Sequence, residues 1–230
     1  MILEEEIKSF PLSLSQKNIW NLERSAEGTS INNISTTIRI KGRVDFVLLQ
    51  KSINLVLSAD NSLRTRLTLQ QDEPVQYFEP FCETPLEIYD FSHTSAQGIS
   101  SWESATTREA IALLDAPLYR FFLFRAGENE GGVLIKIHHI ISDGWSQVLL
   151  CNRIAETYLS LLCGREPALL NCPSYRLHVE EEQAYLKSAA YEKDREYWQE
   201  VIQKSGEPSL LKSVKSAAIS PVGRRLSRCV

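Results

Sequence analysis

No run of apolar residues in the 230-residue sequence is long enough to cross a bilayer, which argues against a transmembrane helix. The opening stretch, Met1 to Ile7, is acidic and has no apolar h-region, so a secretory leader is not expected. No CxxC spacing occurs among the five cysteines, Cys82, Cys151, Cys163, Cys172 and Cys229. An odd, scattered set without a leader points to reduced thiols in a cytoplasm, not to disulfides or a zinc site. Basic excess is missing too. A formal net charge of -4 and a pI near 5.7 leave little scope for an extended nucleic-acid footprint. There is no internal repeat and no low-complexity tract. What the chain does have is 43% hydrophobic residues, enough for one good-sized core or for two lobes sharing an interface.

Hydropathy periodicity alternates between strand and helix. Ser13-Leu14-Ser15-Gln16 before Ile19, Trp20 and Leu22 predicts a capped short helix. Ile34, Thr36, Ile38 and Ile40 alternate with polar residues, a strand signal. Asp45 caps a helix whose apolar face carries Val47, Leu48, Ile53, Val56 and Leu57. Leu63 to Leu69 alternates again, with Leu63, Thr65, Leu67 and Leu69 on one side and Arg64 and Arg66 on the other. Asp72-Glu73-Pro74 reads as a hairpin turn into Val75 to Phe78. Leu86 to Tyr89 is a weaker strand, Asp90 to Ser101 a polar loop and Trp102 to Leu114 a helix. Tyr119 to Arg125 and Val133 to Ile140, joined through Gly127 to Gly132, form the clearest hairpin. A helix is expected from about Ser142 to Cys163 with Gly164 at its C-cap. A long charged helix is expected from Ser174 to about Gln203, and a linker from Gly206 to Val230. Trp20, Trp102, Tyr158 and Trp198 are read as packing residues. Glu180-Glu181-Glu182 reads as a solvated face, and His93 and His178 as surface residues. Arg224, Arg225 and Arg228 read as linker charges.

The chemistry concentrates in Ile137-His138-His139-Ile140-Ile141-Ser142-Asp143-Gly144-Trp145-Ser146. Successive strand side chains face opposite ways, so His138 and His139 are poorly placed to chelate one metal. His139 falls at the end of the apolar face made by Val133, Ile135 and Ile137. Burial there would favour a neutral imidazole, able to accept a proton as a general base must. Asp143 sits at the start of the next helix, where orphan N–H groups and the helix dipole stabilise a carboxylate. From there it could orient His139 or pair with an arginine. Gly144 permits close approach to the backbone, and its N–H is a candidate oxyanion donor.

His138-His139-Ile140-Ile141-Ser142-Asp143-Gly144 resembles the HHxxxDG signature of the chloramphenicol acetyltransferase-like acyltransferases. With Trp145-Ser146 appended, it resembles the condensation domains of non-ribosomal peptide synthetases. Leu12 to Trp20 is similar to that family's first core motif (S-x-A-Q-x-x-x-W), with Ser15, directly before Gln16, where the alanine falls. Ser62-Leu63-Arg64-Thr65-Arg66-Leu67 is similar to its second (x-L-R-T-x-F), with Leu67 for phenylalanine. Pro173-Ser174-Tyr175, followed by the charged helix to Tyr197-Trp198, resembles the segment after the family's active site.

The resemblance implies an α/β fold, a chloramphenicol acetyltransferase-like two-layer sandwich with a mixed sheet flanked by helices. It implies amide formation between acyl or aminoacyl thioesters on the phosphopantetheine arms of carrier domains. His139 would be catalytic. Asp143 would be structural, in a salt bridge with Arg64. His138 and Gly144 would support the site, and Trp145 and Ser146 would shape the substrate tunnel. No metal and no directly bound cofactor are implied, because pantetheine arrives with the substrate. The implied partners are peptidyl or acyl carrier domains and adjacent synthetase modules, with no nucleic acid and no membrane. Histidine at 138 disfavours heterocyclisation, Trp145 disfavours epimerisation, and the lack of an N-terminal histidine pair disfavours the dual type. Family members have two lobes and about twice this length. Residues 1–205 are therefore expected to be the first lobe, 206–230 a linker or the truncated start of the second, and the isolated chain inactive or very weak. Two other readings stay open: a stand-alone acyl-coenzyme A-dependent acyltransferase of small molecules, and an inactive remnant that only docks carriers.

Overall fold

The computed structural model describes residues 8–26, 28–168 and 172–205. The expectations for Met1 to Ile7, for 206–230 with its arginines, and for Cys229 lie outside these residues. The chain divides into two compact units, Met1–Ala184 and Tyr185–Val230.

In the first unit a short strand, β1 (Phe10–Pro11), leads into α1 (Leu14–Ser25). The helix begins with the capping box legible in Ser13 and Gln16. The Ser13 hydroxyl accepts from Gln16 N at 3.2 Å, and the Gln16 side-chain oxygen accepts from Ser13 N at 2.9 Å. β2 (Asn33–Lys41) follows, then α2 (Phe46–Ala59), capped as expected by Asp45 accepting from Leu48 N at 3.0 Å. A 3-10 turn (Asn61–Arg64) enters β3 (Thr65–Gln70) and β4 (Glu73–Phe78). Gln71 and Asp72 join these two strands at φ of 53° and 64°, as a two-residue turn with both residues left-handed. Next come β5 (Ile88–Asp90), α3 (Ala96–Arg108), β6 (Tyr119–Gly127), β7 (Glu130–His138), α4 (Gly144–Leu162) and α5 (Tyr175–Leu186).

β2, β7, β6 and β5 form a four-stranded mixed sheet in that order, antiparallel except for the β5–β6 pair. β1, β4 and β3 form a separate antiparallel sheet. The expected mixed sheet flanked by helices is therefore the fold that forms. On one face, Leu49, Ile53 and Val56 of α2 and Leu150, Ile154 and Tyr158 of α4 bury against Leu123, Val133, Ile135 and Ile137. Each such side chain is worth about 1.5–3 kcal/mol on burial. On the other face Trp102 of α3 packs against Tyr89, Phe122 and Phe124, with ring centroids 5.5, 6.3 and 6.0 Å away. Covered on both sides, β7 is buried from Gly131 to His138, which is why its sequence is a nearly continuous apolar run. Its one lysine, Lys136, is sealed on the α3 side. There it donates to the carbonyls of Thr106 at 2.7 Å and Glu109 at 3.0 Å. Asn33 donates to Thr107 O and Glu109 O at 2.9 and 2.7 Å, so the two side chains together close the open carbonyl end of α3. Burial lowers the Lys136 pKa, against the pull of Glu109.

Five expectations shift. α3 starts earlier, at Ala96, because Ser95 caps it by accepting from Gly98 N at 3.2 Å. It ends at Arg108, before the apolar Ile111, Leu113 and Leu114. Leu63 and Arg64 belong to the 3-10 turn, and Arg66 is buried in an ion pair with Glu79. Glu182 is not simply solvated, since its carboxylate accepts from Leu14 N at 2.8 Å at the start of α1. The charged helix is interrupted after Leu186, and in the second unit α6 (Ala189–Lys204) begins anew. Its cap is Ser188, whose hydroxyl accepts from Tyr191 N at 3.2 Å. Trp198 of α6, expected to pack, is 59% exposed, and among the described residues its ring partner is Tyr197, at a centroid distance of 5.4 Å.

Candidate active site

β7 ends at His138, and the chain turns at once. The turn is held by hydrogen bonds at each successive backbone amide. His138 N donates to Leu118 O at 2.8 Å and His139 N to Asn32 O at 2.7 Å. Ile140 N donates to the His138 ring at Nδ1 at 3.1 Å, and Ile141 N to His138 O at 3.2 Å. From the other side, the Gln16 amide donates to Ile140 O at 3.2 Å. Gln16 is itself locked to Gln76 of β4 by a reciprocal amide pair at 2.9 and 2.7 Å. One capping-box glutamine thus starts α1 and also fixes the loop beyond β7.

His139 emerges from this turn with its side chain exposed, and among the described residues its ring makes no hydrogen bond. It lines a cavity of about 350 Å³ with Ser15, Gln16, Ser62, Thr65, Asp143, Ser146 and Tyr175. The Tyr175 hydroxyl shares a 3.1 Å hydrogen bond with the Ser13 hydroxyl. Burial raises the Tyr175 pKa, partly offset by that bond. A second cavity of about 320 Å³ shares Ser62, Ile141, Ser142, Ser146 and Tyr175 with the first and runs on to Arg153, Leu177 and His178.

The expected burial of His139 is corrected. Face alternation was extended one residue too far: the strand stops at 138, so the ring escapes the apolar face and meets the cavity. The buried imidazole is that of His138, at 1% exposure. Its Nδ1 accepts from Ile140 N and so carries no proton, which leaves Nε2–H to face the Glu23 carboxylate at 3.4 Å. Desolvation lowers the His138 pKa, and Glu23 opposes it. Protonation would also forfeit the bond from Ile140 N, so the neutral ring is the one this pocket fits.

The salt bridge expected between Asp143 and Arg64 is not formed among the described residues. Asp143 caps α4 instead, accepting from both the N–H and the hydroxyl of Ser146 at 2.7 Å. Those bonds, the backbone one first, hold its carboxyl below the usual range. Arg64 turns away, donating to Leu57 O at 2.6 Å, Ser58 O at 2.8 Å and Glu79 O at 3.0 Å. The reason is local: the 3-10 turn places Arg64 under the open carbonyl end of α2, which a guanidinium satisfies well. Gly144 is the first residue of α4, and a methyl group added there would meet nothing within 4 Å. Trp145 beside it is 71% exposed. His138, His139, Asp143, Gly144, Trp145 and Ser146 thus lie on one turn and helix start, with Arg64 apart from them.

Sequence reasoning missed Glu23 and Asn32. Glu23 is buried, and its carboxylate accepts from the Asn32 side chain at 2.5 Å as well as facing His138. A signal was available, because Glu23 lies two turns after Gln16, on the stripe that also carries Ile19 and Trp20.

Comparison with known proteins agrees with this anatomy. The family model for the condensation domain matches residues 6–227. The chain belongs to the condensation-domain family. It is 33% identical over 230 residues to surfactin synthase subunit 1 of Bacillus subtilis (strain 168), an alignment covering 98% of this chain and 6% of that protein. It is 29% identical over 191 residues to a dimodular nonribosomal peptide synthase of the same organism, covering 82% and 8%. The starter condensation domain of rhizomide synthetase superposes with a TM-score of 0.81 at 22% identity, covering 87% of this chain and 49% of that one. The first condensation domain of the CDA synthetase superposes with a TM-score of 0.75 at 23% identity, covering 87% and 52%. The chain therefore spans about half of these solved domains and a small fraction of the curated synthetases.

Proposed function

We propose that this chain is the first lobe of a condensation domain that joins two carrier-bound thioesters through an amide bond in non-ribosomal peptide synthesis. The observation that carries the reading is the placement of His139: an exposed imidazole on a tightly bonded turn, opening onto a cavity beside the N-terminus of α4. The amine nitrogen of the acceptor attacks the thioester carbonyl carbon of the donor. The carbon–sulfur bond breaks, and the thiol of the donor's phosphopantetheine arm leaves. The proton lost by the amine passes by way of His139 to the departing sulfur. As the carbonyl oxygen gains charge, the positive end of α4, with the Gly144 N–H at its first position, faces the developing anion. Asp143 keeps that end ordered, and His138 and Gln16 hold the turn. Trp145 and Ser146 would border the path of the arm. A second lobe would supply the opposite wall, in keeping with solved domains about twice this length.

The test supplies a donor acyl-carrier and an acceptor aminoacyl-carrier to the chain, with and without a second lobe added in trans, and follows the amide product by mass spectrometry. Amide formation lost in His139→Ala is the expected result. Turnover that survives His139→Ala, or transfer from acyl-coenzyme A to a small alcohol with no carrier, would overturn it.

A further inference from the structure

We propose that Glu23 is a positioning residue that sets the main chain on both sides of the reacting imidazole. It rests on the assignment of His139 above only for its catalytic meaning, because the clamp is visible without it. The path is short. One oxygen of the Glu23 carboxylate receives the Asn32 amide at 2.5 Å and faces the His138 Nε2–H at 3.4 Å. Asn32 returns its own carbonyl to His139 N at 2.7 Å. His138 returns its Nδ1 to Ile140 N at 3.1 Å. The amide of His139 and the amide after it therefore each end on a residue that Glu23 holds.

The arrangement also selects a tautomer. A carboxylate accepts and cannot donate, so it favours the proton on Nε2 and leaves Nδ1 bare for Ile140 N. Without Glu23 the Nε2–H loses its acceptor, and the choice of tautomer rests on the bond from Ile140 N alone. Glu23, Asn32 and His138 are each at most 7% exposed, so water is a poor substitute for any of them. The group also spans three elements, from α1 through the residue before β2 to the end of β7. A shift of α1 would be passed to the turn that carries His139. Packing alone would need only an apolar side chain at position 23.

The test uses the 230-residue chain labelled with 15N in backbone and histidine rings, and reads amide hydrogen exchange and the His138 tautomer by NMR. In Glu23→Ala, exchange at His139 and Ile140 should rise about tenfold or more relative to the β7 core amides, and the Nδ1–H tautomer should become detectable beside Nε2–H. In Glu23→Gln, whose side-chain oxygen still accepts, the tautomer should persist, with exchange within about threefold of the parent. If Glu23→Ala does not fold, Asn32→Ala serves instead and should speed exchange at His139. Unchanged exchange and tautomer in Glu23→Ala, or acceleration shared equally by the whole sheet, would overturn the proposal. Loss of condensation in His139→Ala has no bearing on these readouts, so the two assignments fail separately.

Discussion

Replacing Arg64 by alanine separates the two places its charge could act. The guanidinium makes three contacts of 3.0 Å or shorter to backbone carbonyls, at Leu57, Ser58 and Glu79. A buried bond from a charged donor is worth about 1.5–3 kcal/mol. Arg64 is only half-buried and the freed carbonyls can reach water, so the sum is discounted to about 2–4 kcal/mol. For a domain of this size that is a fall in Tm of about 6–12 °C. Asp143→Ala removes a helix cap and should cost about 1 kcal/mol at neutral pH. The Asp143 pKa lies below its ordinary 3.8 in the fold, so its contribution is complete above that pH. It disappears as the pH falls through the lower, folded value. Urea unfolding of the two single variants and the double variant closes the cycle. The two losses should add to within about 0.5 kcal/mol, because the groups have no shared bond. A coupling of about 1 kcal/mol or more would mean that the guanidinium reaches Asp143 in solution, and would refute the placement of Arg64 under α2.

Three further outcomes are expected. Because the His138 pKa lies below its ordinary 6.5, stability should fall as the pH drops from 6.5 toward the folded value, at up to about 1.4 kcal/mol per pH unit. Thermal melts of His138→Phe should lack that dependence. Cys151, whose thiol burial pushes to about 11, should resist alkylation at pH 8 while the exposed Cys82 and Cys163 react, as read by intact mass. Gly132→Ala should lower stability by about 3 kcal/mol or more in denaturant titrations, since its Cβ would fall 1.9 Å from Ile38 O.

Local chemistry that a short window contains was legible. The Ser13–Gln16 box, the Asp45 cap, the apolar stripe of α2 and the β6–β7 hairpin all appear where their residues placed them. The HHxxxDG segment likewise falls between strand and helix. What escaped depends on partners distant in sequence or on a single hydrogen bond. Parity carried His139 onto the buried face, but the Ile140 N to His138 bond ends the pleat first. The break before α6 has no glycine or proline to mark it, only one serine hydroxyl within a charged run. Which carbonyls Arg64 would find depended on where α2 stopped, a few residues earlier, and no periodicity encodes that. Glu23 shares the stripe of Gln16, Ile19 and Trp20, but its partner His138 lies 115 residues away, beyond the reach of any local pattern.

The turn at Gln71–Asp72 has a reach beyond its own hairpin. Both residues sit where side chains are crowded by their own backbone, a discomfort that asparagine and glycine largely escape. An Asn-Gly exchange there would release about 1 kcal/mol of local strain. The strand that leaves this bend carries Gln76, which grips Gln16 and, through it, the carbonyl of Ile140. Relaxing two solvent-facing residues at the far tip would thus stiffen the mounting of the imidazole without touching it.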